Sequence, residues 1–185
     1  MSPAEARAAA QAAADLATAS MSSGEPPEAG ALARARAGVA DAVSAAPEDL
    51  DILFLAFQFH TRIGEPGPAE VYARRRLAVC PPGSPQEARA RTNLGLAIFQ
   101  QGRVDEAHRI VKAAMACCDP RQGWHYVWAL VHTASGEKAL ALDALELSIR
   151  DREGSAPYTA IEPRFDALHG DPRFERILAE LAKAR

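Results

Sequence analysis

The chain has 185 residues, a net charge of −3 and a pI near 6.0, and hydrophobic residues make up 48% of it although aromatics make up only 6%. That size suffices for one domain with a real core, and the acidic balance speaks against a nucleic-acid binder, which would present a basic face. No apolar run approaches the roughly 20 residues of a bilayer span, and the scarcity of aromatics and of alternating segments excludes a typical β-sandwich.

Alanine supplies much of the apolar fraction. It has the best helix propensity and lets helices approach closely, so the composition predicts all-α packing. The N-terminal segment lacks the strongly apolar centre of a signal peptide, which points to a cytoplasmic protein. Cys80, Cys117 and Cys118 lack metal-site spacing and read as free thiols. The run Arg74-Arg75-Arg76 reads as a solvated helix face.

In chain order, Ser2-Pro3-Ala4-Glu5 has the form of a capping box and opens a helix over residues 3–20. Apart from Leu16 its inward face is alanine, which predicts a weakly held helix. After a loop at 21–30, a second helix runs to Ala46 with Leu32, Val39 and Val43. Residues 48–63 form the most apolar helix, either buried in a stack or open to a partner. Gly64-Glu65-Pro66 ends it, and the next helix runs to Cys80.

Pro81-Pro82-Gly83 is a stop, and Ser84-Pro85-Gln86-Glu87 is a second capping box. Residues 93–120 then read as two short helices about Gly102. Leu94, Ile98 and Phe99 form one apolar stripe, and Ala107, Ile110, Val111, Ala114 and Met115 form the other. Asp119-Pro120-Arg121-Gln122 is a third cap and starts a helix over 124–134; after Ser135-Gly136, residues 137–151 are its return partner. Residues 152–160 read as a polar loop. Glu162-Pro163-Arg164-Phe165 and Asp171-Pro172-Arg173-Phe174 each pair an acidic cap with a first-turn proline and a phenylalanine placed to dock. The second leads into a closing amphipathic helix.

The breaks are periodic. Gly30 to Gly64 spans 34 residues, Gly64 to Gly102 spans 38 and Gly102 to Gly136 spans 34, with Ala35, Ala69, Ala107 and Ala141 each five residues after a glycine. A helix pair at this period cannot bury its apolar face alone, so it stacks into a solenoid. These residues resemble the tetratricopeptide repeat (TPR) family. Leu94-Gly95, Ile98, Gly102, Ala107, Val111 and Ala114 stand at its motif positions, and Asp119-Pro120 stands near its terminal proline. The copy about Gly136 is looser, and the copy about Gly64 carries Phe57 where the motif places a small residue at the helix crossing. The ending resembles those of repeat regions in bacterial signalling and regulatory proteins.

The resemblance implies a right-handed α-solenoid with a C-terminal capping helix. The expected organisation is a single domain: a degenerate helix pair at 1–47, repeats at 48–83, 84–119 and 120–153, and a cap at 154–185. It also implies a protein or peptide partner held in the concave groove lined by the first helix of each repeat. By the repeat offsets, Phe54, Thr92 and Tyr126 are equivalent, as are Gln58, Leu96 and Leu130. Phe54, Gln58 and Arg62 share one helix face, and Arg89, Asn93 and Leu96 share another. The expected contact set is therefore Phe54, Gln58, Arg62, Arg89, Asn93, Leu96, Tyr126 and Leu130. In it amides satisfy peptide groups, arginines fork onto carboxylates and aromatics anchor side chains. Leu96 and Leu130 also fit plain inter-repeat core.

Two other readings stay open. The apolar helix at 50–63, or the alanine-rich first helix, could drive self-association into a homo-oligomer. An enzyme or metal protein is the minor one. His125 and His132 share a helix face after Cys117-Cys118, but that spacing is not one zinc uses. Catalytic motifs of the G-x-S-x-G, phosphate-loop and H-E-x-x-H types are absent from the sequence. The expectation is a non-enzymatic binding scaffold without cofactor, metal, nucleic acid or membrane.

Overall fold

A computed structural model describes residues 1–23, 28–117 and 124–183. Among them the regular structure is entirely helical: α1 (Pro3–Ser23), α2 (Ala29–Ala45), α3 (Leu50–Arg62), α4 (Pro66–Val79), α5 (Pro85–Phe99), α6 (Val104–Ala116), α7 (His125–Ala134), α8 (Lys138–Arg150) and α9 (Pro172–Lys183). Two 3-10 turns, Ala156–Ile161 and Pro163–Leu168, lie between α8 and α9. The first occupies part of the stretch expected to be loop. The cap expected at residues 119–122 falls outside the described residues.

The starts follow local chemistry. The Ser2 hydroxyl accepts from the Glu5 amide at 3.3 Å while Glu5 accepts from the Ser2 amide at 2.7 Å, which closes a capping box. Ser84 accepts from the Glu87 amide at 3.2 Å, but the Glu87 carboxylate reaches one residue further back, to the Gly83 amide at 2.6 Å. Asp49, Glu162 and Asp171 likewise accept from amides of the turns they open.

The ends share one solution. Gly64, Gly102 and Gly136 have φ of +74° to +77°, the left-handed turn that lets the amide one residue on bond back to a carbonyl five residues earlier. Arg152, with φ +52°, takes that place after α8.

The chain forms two compact units, Met1–Pro82 and Gly83–Arg185, divided at the Pro81-Pro82-Gly83 stop. In the first unit α1 packs against both α2 and α3, and α3 against α4. Its core joins Ala6, Ala10, Ala13 and Ala17 of α1 to Val39, Ala42 and Val43 of α2 and to Ile52, Leu53, Ala56 and Phe59 of α3. Small side chains therefore seat α1 closely on two helices. Arg7 binds Asp49 at 2.7 Å at one end of this contact.

In the second unit α5 pairs with α6 and α7 with α8, while the second 3-10 turn lies on α7 and α9 lies on α8. Gly95 is where α5 meets α6: a Cβ there would stand 2.8 Å from Val111 Cγ2. Trp128 is buried and its indole donates to Thr92 Oγ1 at 3.0 Å, tying α7 to α5. Arg173 of α9 forks onto Asp143 and Glu146 of α8 at 2.7 and 2.9 Å, so two carboxylates on an outer helix face serve as a dock for the closing helix.

Candidate functional site

The expected contact residues fall in both units and meet different surroundings. In the first unit, Phe54 and Gln58 are half-buried and line an open concavity of about 520 Å³ between α1 and α3. Arg7, Ala8, Gln11, Asp51 and Leu55 complete its wall. Phe54 is braced from behind, stacked on Phe57 at 6.4 Å with the Arg76 guanidinium 5.0 Å from its ring centre. Arg76 is itself fixed by a 3.1 Å bond to the Leu50 carbonyl. Gln11 donates to Asp15 at 2.8 Å, so its amide is oriented too. Arg62 turns from the concavity to the Ala14 carbonyl of α1, 3.5 Å away, and burial lowers its pKa. The concavity thus combines aromatic, amide and charged walls on a packed helix pair.

In the second unit only Arg89 of the expected set is exposed; Asn93, Leu96, Tyr126 and Leu130 are buried. The Tyr126 ring meets Phe165 edge-on at 5.6 Å, and burial, helped by nearby Glu162, pushes its hydroxyl up to about 12. Arg164 lies over Phe99, 5.8 Å from the ring centre. The Glu162-Pro163-Arg164-Phe165 segment therefore covers this face of α7. The docking phenylalanine was readable from sequence; that it would land on Tyr126 was not.

Sequence spacing had set His132 beside His125, but the structure gives them different partners. His125 is buried at the start of α7, edge-on to Trp128, where Glu153 accepts from its Nδ1 at 3.0 Å. The same carboxylate accepts from the His125 and Tyr126 amides at 2.7 and 2.9 Å and from Ser148 at 2.9 Å. Burial raises the Glu153 pKa, yet these four donors hold it below the ordinary carboxylate value. Glu153 is a helix cap delivered from the far end of the same pair.

His132 belongs to a second arrangement, and the chain builds it twice. His60-Thr61-x-x-Gly64-Glu65 recurs as His132-Thr133-x-x-Gly136-Glu137. In the first, His60 Nδ1 lies 2.7 Å from Glu65, and Arg36 of α2 reaches the same carboxylate at 2.5 Å. In the second, His132 Nδ1 lies 2.9 Å from Glu137 Oε2, His108 Nε2 of α6 lies 2.8 Å from that same oxygen, and Lys112 Nζ lies 2.9 Å from Oε1. His108 stands at the repeat position of Arg36. Burial lowers the pKa of both His60 and His132 against the pull of their carboxylates. Lys112, with the two imidazoles, brings Glu137 down to about 2. The recurring H-T-x-x-G-E was the signal in the sequence; what it could not show was the helix that supplies the third group.

No family model, no curated protein and no solved structure matches the chain. The likeness to tetratricopeptide repeats therefore rests on the period and motif residues alone. No described helix is long and apolar enough to cross a membrane.

Proposed function

We propose that the protein is a non-enzymatic binding module of tetratricopeptide-repeat type, its helix pairs continuing as a right-handed solenoid in the cytoplasm of a bacterial cell. Its ligand is an extended peptide segment of a partner protein. The observation that carries this reading is the α1–α3 concavity, where Phe54 and Leu55 offer apolar area beside the amides of Gln11 and Gln58. An aromatic braced from behind costs little side-chain entropy on binding, and amides can pair with peptide backbone groups.

The contact set is narrowed to Phe54 and Gln58 with their α1 neighbours. Arg89 is the accessible member in the second unit, whereas Asn93, Leu96, Tyr126 and Leu130 act there as packing. Self-association through α3 is less favoured, because Ile52, Leu53, Phe57 and Phe59 are buried within the first unit.

Peptides selected from a displayed library against the whole protein test the proposal. Calorimetry of a selected peptide is expected to show Gln58→Ala and Phe54→Ala weakening binding about fivefold or more, the scale of one contributing interface residue. Wild-type affinity in a Gln58→Ala protein with unchanged melting would remove the concavity as the binding surface.

A further inference from the structure

We infer that His108, His132 and Glu137 form a binding site for a divalent transition-metal ion of the zinc class. Ligating atoms of the three residues all lie within 4.8 Å of one another. They come from three places, α6, the last turn of α7 and the residue before α8, so one ion would join the two helix pairs of the second unit. Imidazole nitrogens and a carboxylate oxygen are ordinary zinc ligands, and three protein ligands leave a fourth position for water. Bonds of ~2.0–2.1 Å to a tetrahedral ion set ligand atoms about 3.3–3.4 Å apart. His132 Nδ1 and His108 Nε2 stand 2.9 and 2.8 Å from Glu137 Oε2, so only small outward movements admit the ion there. His108 is half-buried and lies edge-on to His132, with ring centres 5.4 Å apart.

A second observation concerns the proton count. Both nitrogens of the fully buried His132 face acceptors: Nδ1 faces Glu137 and Nε2 faces the Met115 thioether at 3.2 Å. A neutral imidazole carries one N–H and satisfies only one of these. With an ion on Nδ1, the N–H stands on Nε2, facing the Met115 sulfur, a weak acceptor.

The first unit supplies an internal contrast. There the third position is the Arg36 guanidinium, a fixed cation with no lone pair, and the arrangement closes as an ion pair. Substituting an imidazole at that position converts the same geometry from a closed pair to a set of donors. Lys112 does not block the site, since it occupies the other carboxylate oxygen and is half-exposed. Its ammonium would oppose the ion's charge from there.

The test uses the whole protein after chelator treatment, titrated with zinc chloride by calorimetry and with cobalt chloride by visible absorption. One equivalent is expected to bind, with cobalt bands of nitrogen and oxygen ligation and a higher melting temperature in zinc. His108→Gln is expected to lower zinc affinity about tenfold or more, and Lys112→Gln to raise it. Circular dichroism checks that His108→Gln folds, and Glu137→Gln provides a second ligand variant. Absence of zinc binding, or binding that neither ligand variant weakens, would overturn the assignment in favour of a second ion-pair joint.

Discussion

Phe57 of α3 and Gly95 of α5 hold the same place in the repeat; Gly95 meets Val111 of α6, and by the same offset Val111 is equivalent to Ala73 of α4. All four are buried or tightly packed. One pair carries a large residue on its first helix and a small one on its second, and the other reverses the order. The turn that follows is the same in both, with a left-handed glycine at Gly64 and at Gly102. Backbone geometry at the turn is thus held fixed while the crossing is filled in two ways, as packing requires only that facing volumes sum to the available space. The large-on-small version has a further consequence. Phe57 supports Phe54, and with Arg76 it stiffens the wall of the concavity.

The strongest way to break this comparison is Phe57→Ala. Removing a fully buried ring is expected to cost about 3–5 kcal/mol and to loosen Phe54. Denaturant unfolding followed by circular dichroism would measure it; a loss below 1 kcal/mol would mean that the crossing closes without the ring. Gly95→Ala tests the other version. Alanine gains about 1 kcal/mol of helix propensity over glycine, but its Cβ overlaps Val111 Cγ2 and overpacking costs about 1–3 kcal/mol, so a net loss is expected. Val111→Ala in the same chain should recover part of it; additive effects in the double-mutant cycle would show that the two residues do not meet.

The smallest expected effect sharpens the contrast between the two His–Glu joints. His60 is packed between Phe59 and Tyr72, with Glu65 on its Nδ1 and Arg36 behind that carboxylate. Burial depresses its pKa in the fold, so the unfolded chain takes the proton first. Stability is therefore full above about pH 6.5, the unfolded value, and declines as pH falls below it. The decline is under ~1.4 kcal/mol per pH unit, the limit for one proton. Glu65, held low by Arg36, adds a further loss below its ordinary carboxylate range. Urea midpoints between pH 7.5 and 5 would show the first slope in wild type and a smaller one in His60→Gln, where the buried His132 still contributes.

Much of the fold was legible because its signals are local. Caps at Ser2 and Ser84, left-handed glycines and 3.6-residue stripes each act over a few residues, and the helices form within a few residues of their expected bounds. The division at Pro81-Pro82-Gly83 was read as a stop but not as a boundary between compact units, because a proline pair marks an interruption whatever lies on either side. The site was less legible. Helical spacing placed Asn93, Leu96, Tyr126 and Leu130 on one kind of face, but which face stays open depends on where residues 163–168 fold back. Likewise, His132 could be matched to His60 by period, whereas its meeting with His108 depends on how α6 lies against α7.

Trp124 and Trp128 are the two tryptophans of the chain, and both lie in the unit Gly83–Arg185. Trp128 is enclosed and hydrogen-bonded to Thr92, while Trp124 is half-buried with its indole 3.4 Å from Ser155. Excitation at the red edge of protein absorbance therefore addresses one half of the molecule, and the other half, with Tyr72 as its single tyrosine, stays dark. Intrinsic fluorescence and far-ultraviolet dichroism become two separate clocks, and a lag between them would time the loss of one half against the other in the unlabelled protein.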